Sequence, residues 1–299
     1  MTKEKGANNL RGMMWMLLSG ILISGMHGSI RHVSADLHPF EIAFFRLIFG
    51  LLPLLPWLVK LGWKPLKTKR LSLLALRGAI NVTCMLAFFY ALSIAPLVEV
   101  TTLAFSAPIF ATIGAMIVYG EKVGFRRWAA IGFGFLGVLV VLRPGFHEIS
   151  QGTALALFAA IGWSTCMVII KSLGQTESSL TITLYMSIVM APLALLPALW
   201  VWQWPTESQM LWLILIGVLG GAGQMAMAEA LKVGETHIVM PVEFTRLIWI
   251  SIIAYLIFAE VPGLYTWIGG GIIFAATIII AWRERINAKI NSHALLLSE

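Results

Sequence analysis

A glutamate and an arginine three residues apart, inside an otherwise apolar run, are the strongest chemical signal in this sequence. The run is 237–260, HIVMPVEFTRLIWISIIAYLIFAE, and it holds Pro241, Glu243 and Arg246 in its first half. Three apart on a helix, Glu243 and Arg246 share a face and can pair. The run is long enough to cross a bilayer, which takes about 20 mainly apolar residues. A charge at that depth costs roughly 2.5–3.5 kcal/mol on insertion scales, so such residues face a bundle interior or a wet cavity rather than lipid. Pro241 removes a backbone hydrogen bond and frees a carbonyl at about the same depth. The pair is either a structural ion pair beside a membrane proline or part of the wall of a solute path.

Other polar residues fall inside apolar runs at helical spacing. Arg77, Asn81 and Cys84 share one stripe; Glu99, Thr102 and Ser106 form another, just before Pro108; Ser24, His27 and Arg31 form a third. Arg46, Gln224 and Glu229 also sit within apolar stretches. Charges of both signs at depth suit either mutual neutralisation or a zwitterionic solute. The Ser, Thr and Asn residues have an equally good structural reading as interhelical hydrogen-bonding groups. Phe105, Trp163 and Phe244 lie deep enough to stack on a planar solute or simply to pack. Trp63, Trp200, Trp202 and Trp204 sit near span ends as interface anchors. The six histidines are scattered without metal-ligand spacing, and His27 reads as a packed or interfacial residue. No metal and no cofactor is expected. Residues 132–137 spell GxGxxG but follow no strand, so a dinucleotide site is excluded; the absence of a P-loop excludes direct ATP coupling within this chain.

The elements that would position these groups are membrane helices. Of 299 residues, 59% are hydrophobic and only 12% charged, where a soluble domain carries about 25%. Hydropathy and punctuation predict ten spans with cores at 12–31, 40–59, 71–91, 97–118, 127–142, 152–170, 180–201, 209–231, 238–258 and 264–282. With the N-terminus inside, sixteen Lys and Arg residues fall on the cytoplasmic side and only Arg31 and Arg143 on the other; Arg46, Arg77 and Arg246 remain within spans. That asymmetry predicts both termini to be cytoplasmic. The net charge of +7 is thus a topology signal and not a nucleic-acid footprint. Cys84 and Cys166 both lie in apolar spans, so no disulfide framework is expected. The first apolar run continues too far for a cleavable signal peptide.

The chain also repeats itself. Shifted by 139 residues, 89–145 overlays 228–284: Phe105 falls on Phe244, Glu121 on Glu260, Gly124 on Gly263, Trp128 on Trp267 and Gly132 on Gly271. A shift of 140 pairs Gly12 with Gly152, Ser24 with Ser164 and Arg31 with Lys171. Five spans per half is an odd number, so the halves must insert in opposite senses. Inverted repeats are typical of secondary transporters, whose sites lie near mid-membrane at the repeat interface. The expected fold is an all-α membrane protein of ten transmembrane helices in two inverted five-helix repeats. The first repeat is 1–145, the second 146–285, and a cytoplasmic tail spans 286–299.

The run FYALSIAPLVEVTTLAFSAPIFATIGAMIVYGEKVGFRRWAAIGFGFLGVLVVLRPG at 89–145 resembles the EamA-type repeat of the drug/metabolite transporter superfamily. Its echo at 228–260 and the FFRLIFGLLPLLP stretch at 44–56, with Arg46, are similar to parts of the same repeat. The second half has Tyr185 opposite Arg46, so the halves are chemically unequal. The resemblance implies alternating access, small organic solutes and residence in a bacterial inner membrane. It slightly favours export.

Three classes of function compete. A secondary transporter of amino-acid-like, charged or zwitterionic metabolites accounts for the repeat and the buried charges; uptake of a nucleoside-like or vitamin cofactor such as adenosylmethionine or riboflavin is the alternative. A membrane enzyme would need a clustered nucleophile and base, which is not visible. A structural or signalling bundle would not need several buried charges. On the transporter reading, the path candidates are Arg46, Arg77, Asn81, Glu99, Phe105, Trp163, Gln224, Glu229, Glu243, Phe244 and Arg246. Pro108 and Pro241 are the hinge candidates, and the buried carboxyls Glu99 and Glu243 are the candidates for proton coupling. Membrane lipid is the expected surroundings and a small molecule the expected partner.

Overall fold

Proline, glycine and polar caps set the helix boundaries seen in a computed structural model of the chain. It describes residues 2–54, 68, 70–119, 125–143, 150–173, 176–177, 179–234 and 236–279. Trp63, Glu121, Gly124 and the tail 286–299 lie outside the described residues. Helix α1 spans Thr2–Val33 and α2 Pro39–Phe49, followed by a 3-10 turn at Leu52–Leu54. Pro39 supplies a preset φ at the start of α2, and the His38 ring accepts from the Phe40 amide. Helices α3 (Leu71–Ile94), α4 (Leu97–Ala104), α5 (Ala107–Tyr119) and α6 (Phe125–Leu142) complete the first half. The second half comprises α7 (Gln151–Leu173), α8 (Ser179–Trp200), α9 (Glu207–Val233), α10 (Thr236–Glu243), α11 (Arg246–Phe258) and α12 (Leu264–Ile279). A capping box between Thr206 and Gln209 starts α9. Ala259, at φ 52°, ends α11 in the left-handed conformation, and the Glu260 amide bonds the Ala254 carbonyl.

Among the described residues there is no strand. Six helical stretches are long and apolar enough to cross a membrane: 9–33, Leu71–Ile94, 97–118, 151–170, Glu207–Val233 and 241–258. Shorter apolar helices cover 131–142, 188–200 and Leu264–Ile279. Large apolar side chains such as Ile117, Leu196, Leu256 and Leu264 are exposed along these helices, as expected of surfaces that meet acyl chains.

Several of the largest helix contacts recur when the two halves are exchanged. Helix α1 lies along α9, and α7 lies along α3; α2 touches α9, and α8 touches α3. Likewise α1 meets α10 and α11, while α7 meets α4 and α5. Glycine permits the closest of these approaches. A Cβ on Gly221 would stand 2.5 Å from the Gly50 carbonyl oxygen, and one on Gly78 would stand 2.6 Å from Val189 Cγ1. These pairs tie α9 to α2 and α3 to α8, the close small-residue contacts that membrane helices use.

Two helices break, and they break alike. Phe105 and Ser106 separate α4 from α5; Phe244 and Thr245, 139 residues on, separate α10 from α11. At both places i→i−3 hydrogen bonds replace i→i−4. Phe105 donates to Thr102 and Ser106 to Leu103, as Phe244 does to Pro241 and Thr245 to Val242. The hydroxyls repeat too: Ser106 Oγ donates to Leu103 O at 2.6 Å, and Thr245 Oγ1 to Val242 O at 2.7 Å. Pro108 lies just after the first break and Pro241 just before the second. At the first break Pro108 cannot donate to the Ala104 carbonyl, and at both breaks a hydroxyl side chain bonds into the backbone ladder.

Candidate functional site

The breaks meet at the centre of the bundle. The Phe105 and Phe244 rings stack with centroids 4.6 Å apart and planes 23° apart. Arg246, the first residue of α11, lays its guanidinium 4.5 Å from the Phe105 ring centroid, a cation–π arrangement. Its Nη1 is 3.5 Å from Glu243 Oε1, with both side chains mostly buried. The sequence-derived pair therefore forms, across the break rather than along one continuous helix. Arg246 Nε makes no hydrogen bond among the described residues, nor does Trp249 Nε1 one turn further on. Ser24 on α1 donates to the Arg246 carbonyl at 3.3 Å.

One turn along α1 from Ser24 a second cluster forms. His27 is 6% exposed, and its Nδ1 has no hydrogen-bond partner among the described residues. Its ring lies 5.2 Å from Phe88, and Phe88 lies 5.0 Å from Trp163. Trp163 Nε1 donates to Asn81 Oδ1 at 3.0 Å, fixing the indole. Asn81 Nδ2 in turn reaches Met190 Sδ at 3.3 Å. Arg46 extends from α2 to Met85 Sδ at 3.4 Å. The guanidinium groups of both Arg246 and Arg46 are within electrostatic reach of His27. Aromatic faces, two guanidinium groups and unused buried donors thus converge around α1. That chemistry suits a planar, acceptor-rich solute.

The other path candidates are placed apart. Arg77 is buried one turn before Asn81, and its carbonyl faces Cys166 Sγ at 3.7 Å. Glu99, in the first turn of α4, accepts from Thr153 Oγ1 at 2.9 Å. Gln224 is exposed, and Glu229 pairs at 3.7 Å with the exposed Lys232. A cavity of about 250 Å³ opens beside the second break, lined by Thr102, Phe244, Thr245, Trp267 and Phe274 among others. Its threonines at 102 and 245 spend their hydroxyl hydrogens on their own helices, and the rest of the lining is mostly apolar.

One cluster that motif reading does not assemble joins Arg31 and Glu260. They pair at 3.1 Å at one end of the bundle. Arg31 Nη1 also donates to the carbonyls of Leu92 and Ala95 at the end of α3, and Glu260 Oε2 accepts from the Leu97 amide at the start of α4. Four helices are fastened there. The one hint in the sequence is that Arg31 is among only two cations on its side.

The comparisons agree with this architecture. The model of the EamA-like transporter family matches the chain twice, over residues 10–143 and 150–282. The chain belongs to that family: it is an integral membrane transporter of small molecules and not an enzyme. The S-adenosylmethionine uptake transporter of Rickettsia prowazekii is 31% identical over 276 residues, 92% of this chain and 94% of that one. The riboflavin transporter of Vibrio cholerae is 29% identical over 283 residues, 92% and 95% of the two chains. A human relative, solute carrier family 35 member G1, is 29% identical over 89% of this chain and 77% of its own. A crystal structure covering 94% of this chain has a TM-score of 0.63 at 16% identity, a likeness of fold. The bacterial relatives are named for uptake of S-adenosylmethionine and for transport of riboflavin, which agrees with the alternative reading of the sequence rather than with amino-acid export.

Proposed function

We propose that the chain imports a nucleoside-like cofactor of the adenosylmethionine type by alternating access. The observation that carries this reading is the row His27–Phe88–Trp163, three rings packed one against the next at a tilt, with the indole held by Asn81. A planar heterocycle stacks on the half-buried Trp163 end of that row, and the unpartnered His27 Nδ1 and Arg246 Nε meet its ring nitrogens or its polar head. The names of the Rickettsia and Vibrio relatives support the same class. The solute path runs past Arg46, Asn81, Phe105, Trp163, Glu243, Phe244 and Arg246, and the two breaks are its hinges. Ten spans form two inverted halves, 1–145 and 146–285, in a bacterial inner membrane with both termini cytoplasmic. Packing that survives exchange of the halves, the recurring break and the charge asymmetry support this topology. Glu243 is the candidate proton carrier.

Purified protein in liposomes is expected to take up labelled S-adenosylmethionine saturably, with riboflavin as the comparison solute and an imposed pH gradient testing Glu243. Saturable flux of amino acids alone would defeat the uptake reading. Flux of the cofactor indifferent to pH would remove the proton and leave the solute. Topology is checked by single cysteines at the exposed positions Asp36 and Thr176, after replacement of the buried Cys84 and Cys166. Impermeant reagent is expected to reach position 36 from outside and position 176 only from inside; labelling of both from one side would rule out the arrangement.

A further inference from the structure

We propose that Arg46 is the specificity-determining anchor for a carboxylate on the carried solute, an inference that rests on the function proposed above. Arg46 projects from an apolar helix segment, among Phe44, Phe45, Leu47 and Phe49. Two other arginines of the bundle have carboxylates, Arg31 with Glu260 and Arg246 with Glu243. Arg46 has neither carboxylate nor carbonyl among the described residues. Its hydrogen bond goes to the Met85 thioether, a weak acceptor, which leaves most of its five N–H donors unused. A mostly buried guanidinium without a counter-charge is costly, and an anionic group on the solute would relieve that cost.

The surroundings keep the guanidinium in place for such a role. On α9, a Cβ at Gly220 would stand 3.1 Å from Arg46 Nε and 2.7 Å from Met26 Sδ. The glycine therefore leaves the room that the guanidinium occupies. The planar fork of arginine grips a carboxylate through two parallel bonds, which lysine does not reproduce. The repeat-related position in the second half is Tyr185, so the repeat supplies no matching cation. A solute with a ring at one end and a carboxylate at the other would thus enter in one orientation, ring on Trp163 and acid on Arg46.

The test is competition for uptake in proteoliposomes by two matched pairs of probes. One pair is S-adenosylmethionine and its decarboxylated derivative; the other is phenylalanine and phenethylamine. Wild-type protein is expected to prefer S-adenosylmethionine over its decarboxylated form by on the order of tenfold or more. Arg46→Gln should bring that ratio to about one, and Arg46→Lys should recover only part of it. Gly220→Ala, which displaces the guanidinium without removing it, should lower the ratio as well and serves if Arg46→Gln fails to insert. A merely structural arginine would change total flux and leave the ratio alone. Adenosyl probes carried with a wild-type ratio near one would overturn the role of Arg46 and leave the proposed function standing. Discrimination confined to the phenylalanine pair and abolished by Arg46→Gln would support Arg46 and overturn the nucleoside reading. A ratio retained in a well-inserted Arg46→Gln protein, or no uptake of any of the four probes, overturns the assignment.

Discussion

Glu243→Gln is expected to destabilise the protein by about 3–5 kcal/mol, because it strands the Arg246 guanidinium in a mostly buried position. The Phe105 ring face remains beneath that guanidinium, but a π-face, at about 2 kcal/mol, offsets only part of a lost carboxylate. Thermal unfolding in detergent and uptake in liposomes are expected to fall together in this variant. The double change Glu243→Leu with Arg246→Leu separates packing from transport. With both charges gone no group is left unpaired, and replacing a buried ion pair by apolar side chains is often neutral or stabilising. The double variant should therefore unfold near the wild-type temperature while failing to transport. Wild-type transport in it would mean that the pair is structural and does not line the path.

The second large effect concerns Arg31 and Glu260. Hydrogen bonds to a charged group contribute about 1.5–3 kcal/mol, and each of these side chains makes such bonds to backbone as well as to the other. With about a fifth of each side chain exposed, Arg31→Ala or Glu260→Ala should cost about 2 kcal/mol, the lower part of that range. The charge swap Arg31→Glu with Glu260→Arg gives the sharper outcome. In an ordinary ion pair a swap restores the attraction. Here it would set a carboxylate against the Leu92 and Ala95 carbonyls and a guanidinium against the Leu97 amide, where the start of α4 favours negative charge. The swapped protein is expected to be no more stable than either single variant in detergent melts. Recovery to the wild-type midpoint would show that the backbone contacts carry little.

Legibility in the sequence followed the range of the interactions. The Glu243–Arg246 pair was legible because three residues is a local spacing that survives the break between them, and Pro108 marked where the first ladder fails. The offset of 139 paired Phe105 with Phe244 as letters, but only the packed helices bring their rings within 4.6 Å. His27 reads as a packed histidine, and it packs against Phe88. Nothing near it in sequence discloses the ring row that follows, Phe88 from α3 and Trp163 from α7. Arg31 and Glu260 are 229 residues apart; their sum of backbone caps depends on where α3 ends and α4 begins. Gln224 and Glu229 show the converse: a polar residue in an apolar run can look outward, as Gln224 does, or join an exposed pair near a helix end, as Glu229 does with Lys232.

The stack of Phe105 on Phe244 also bears on ancestry. A residue touching its own counterpart is the mark of an isologous contact, the kind that two copies of one chain make about a twofold axis. In a pair of separate identical chains, any substitution there would have altered both rings at once. Within one gene the copies are free to drift, and the positions flanking the stack record that drift. Glu243 and Arg246 correspond to Ala104 and Ala107 in the first half. The ion pair is therefore a feature of one half alone, set beside a ring pair to which both halves contribute. Restoring the charges at 104 and 107, or removing them at 243 and 246, would move the chain along the axis on which its two halves diverged.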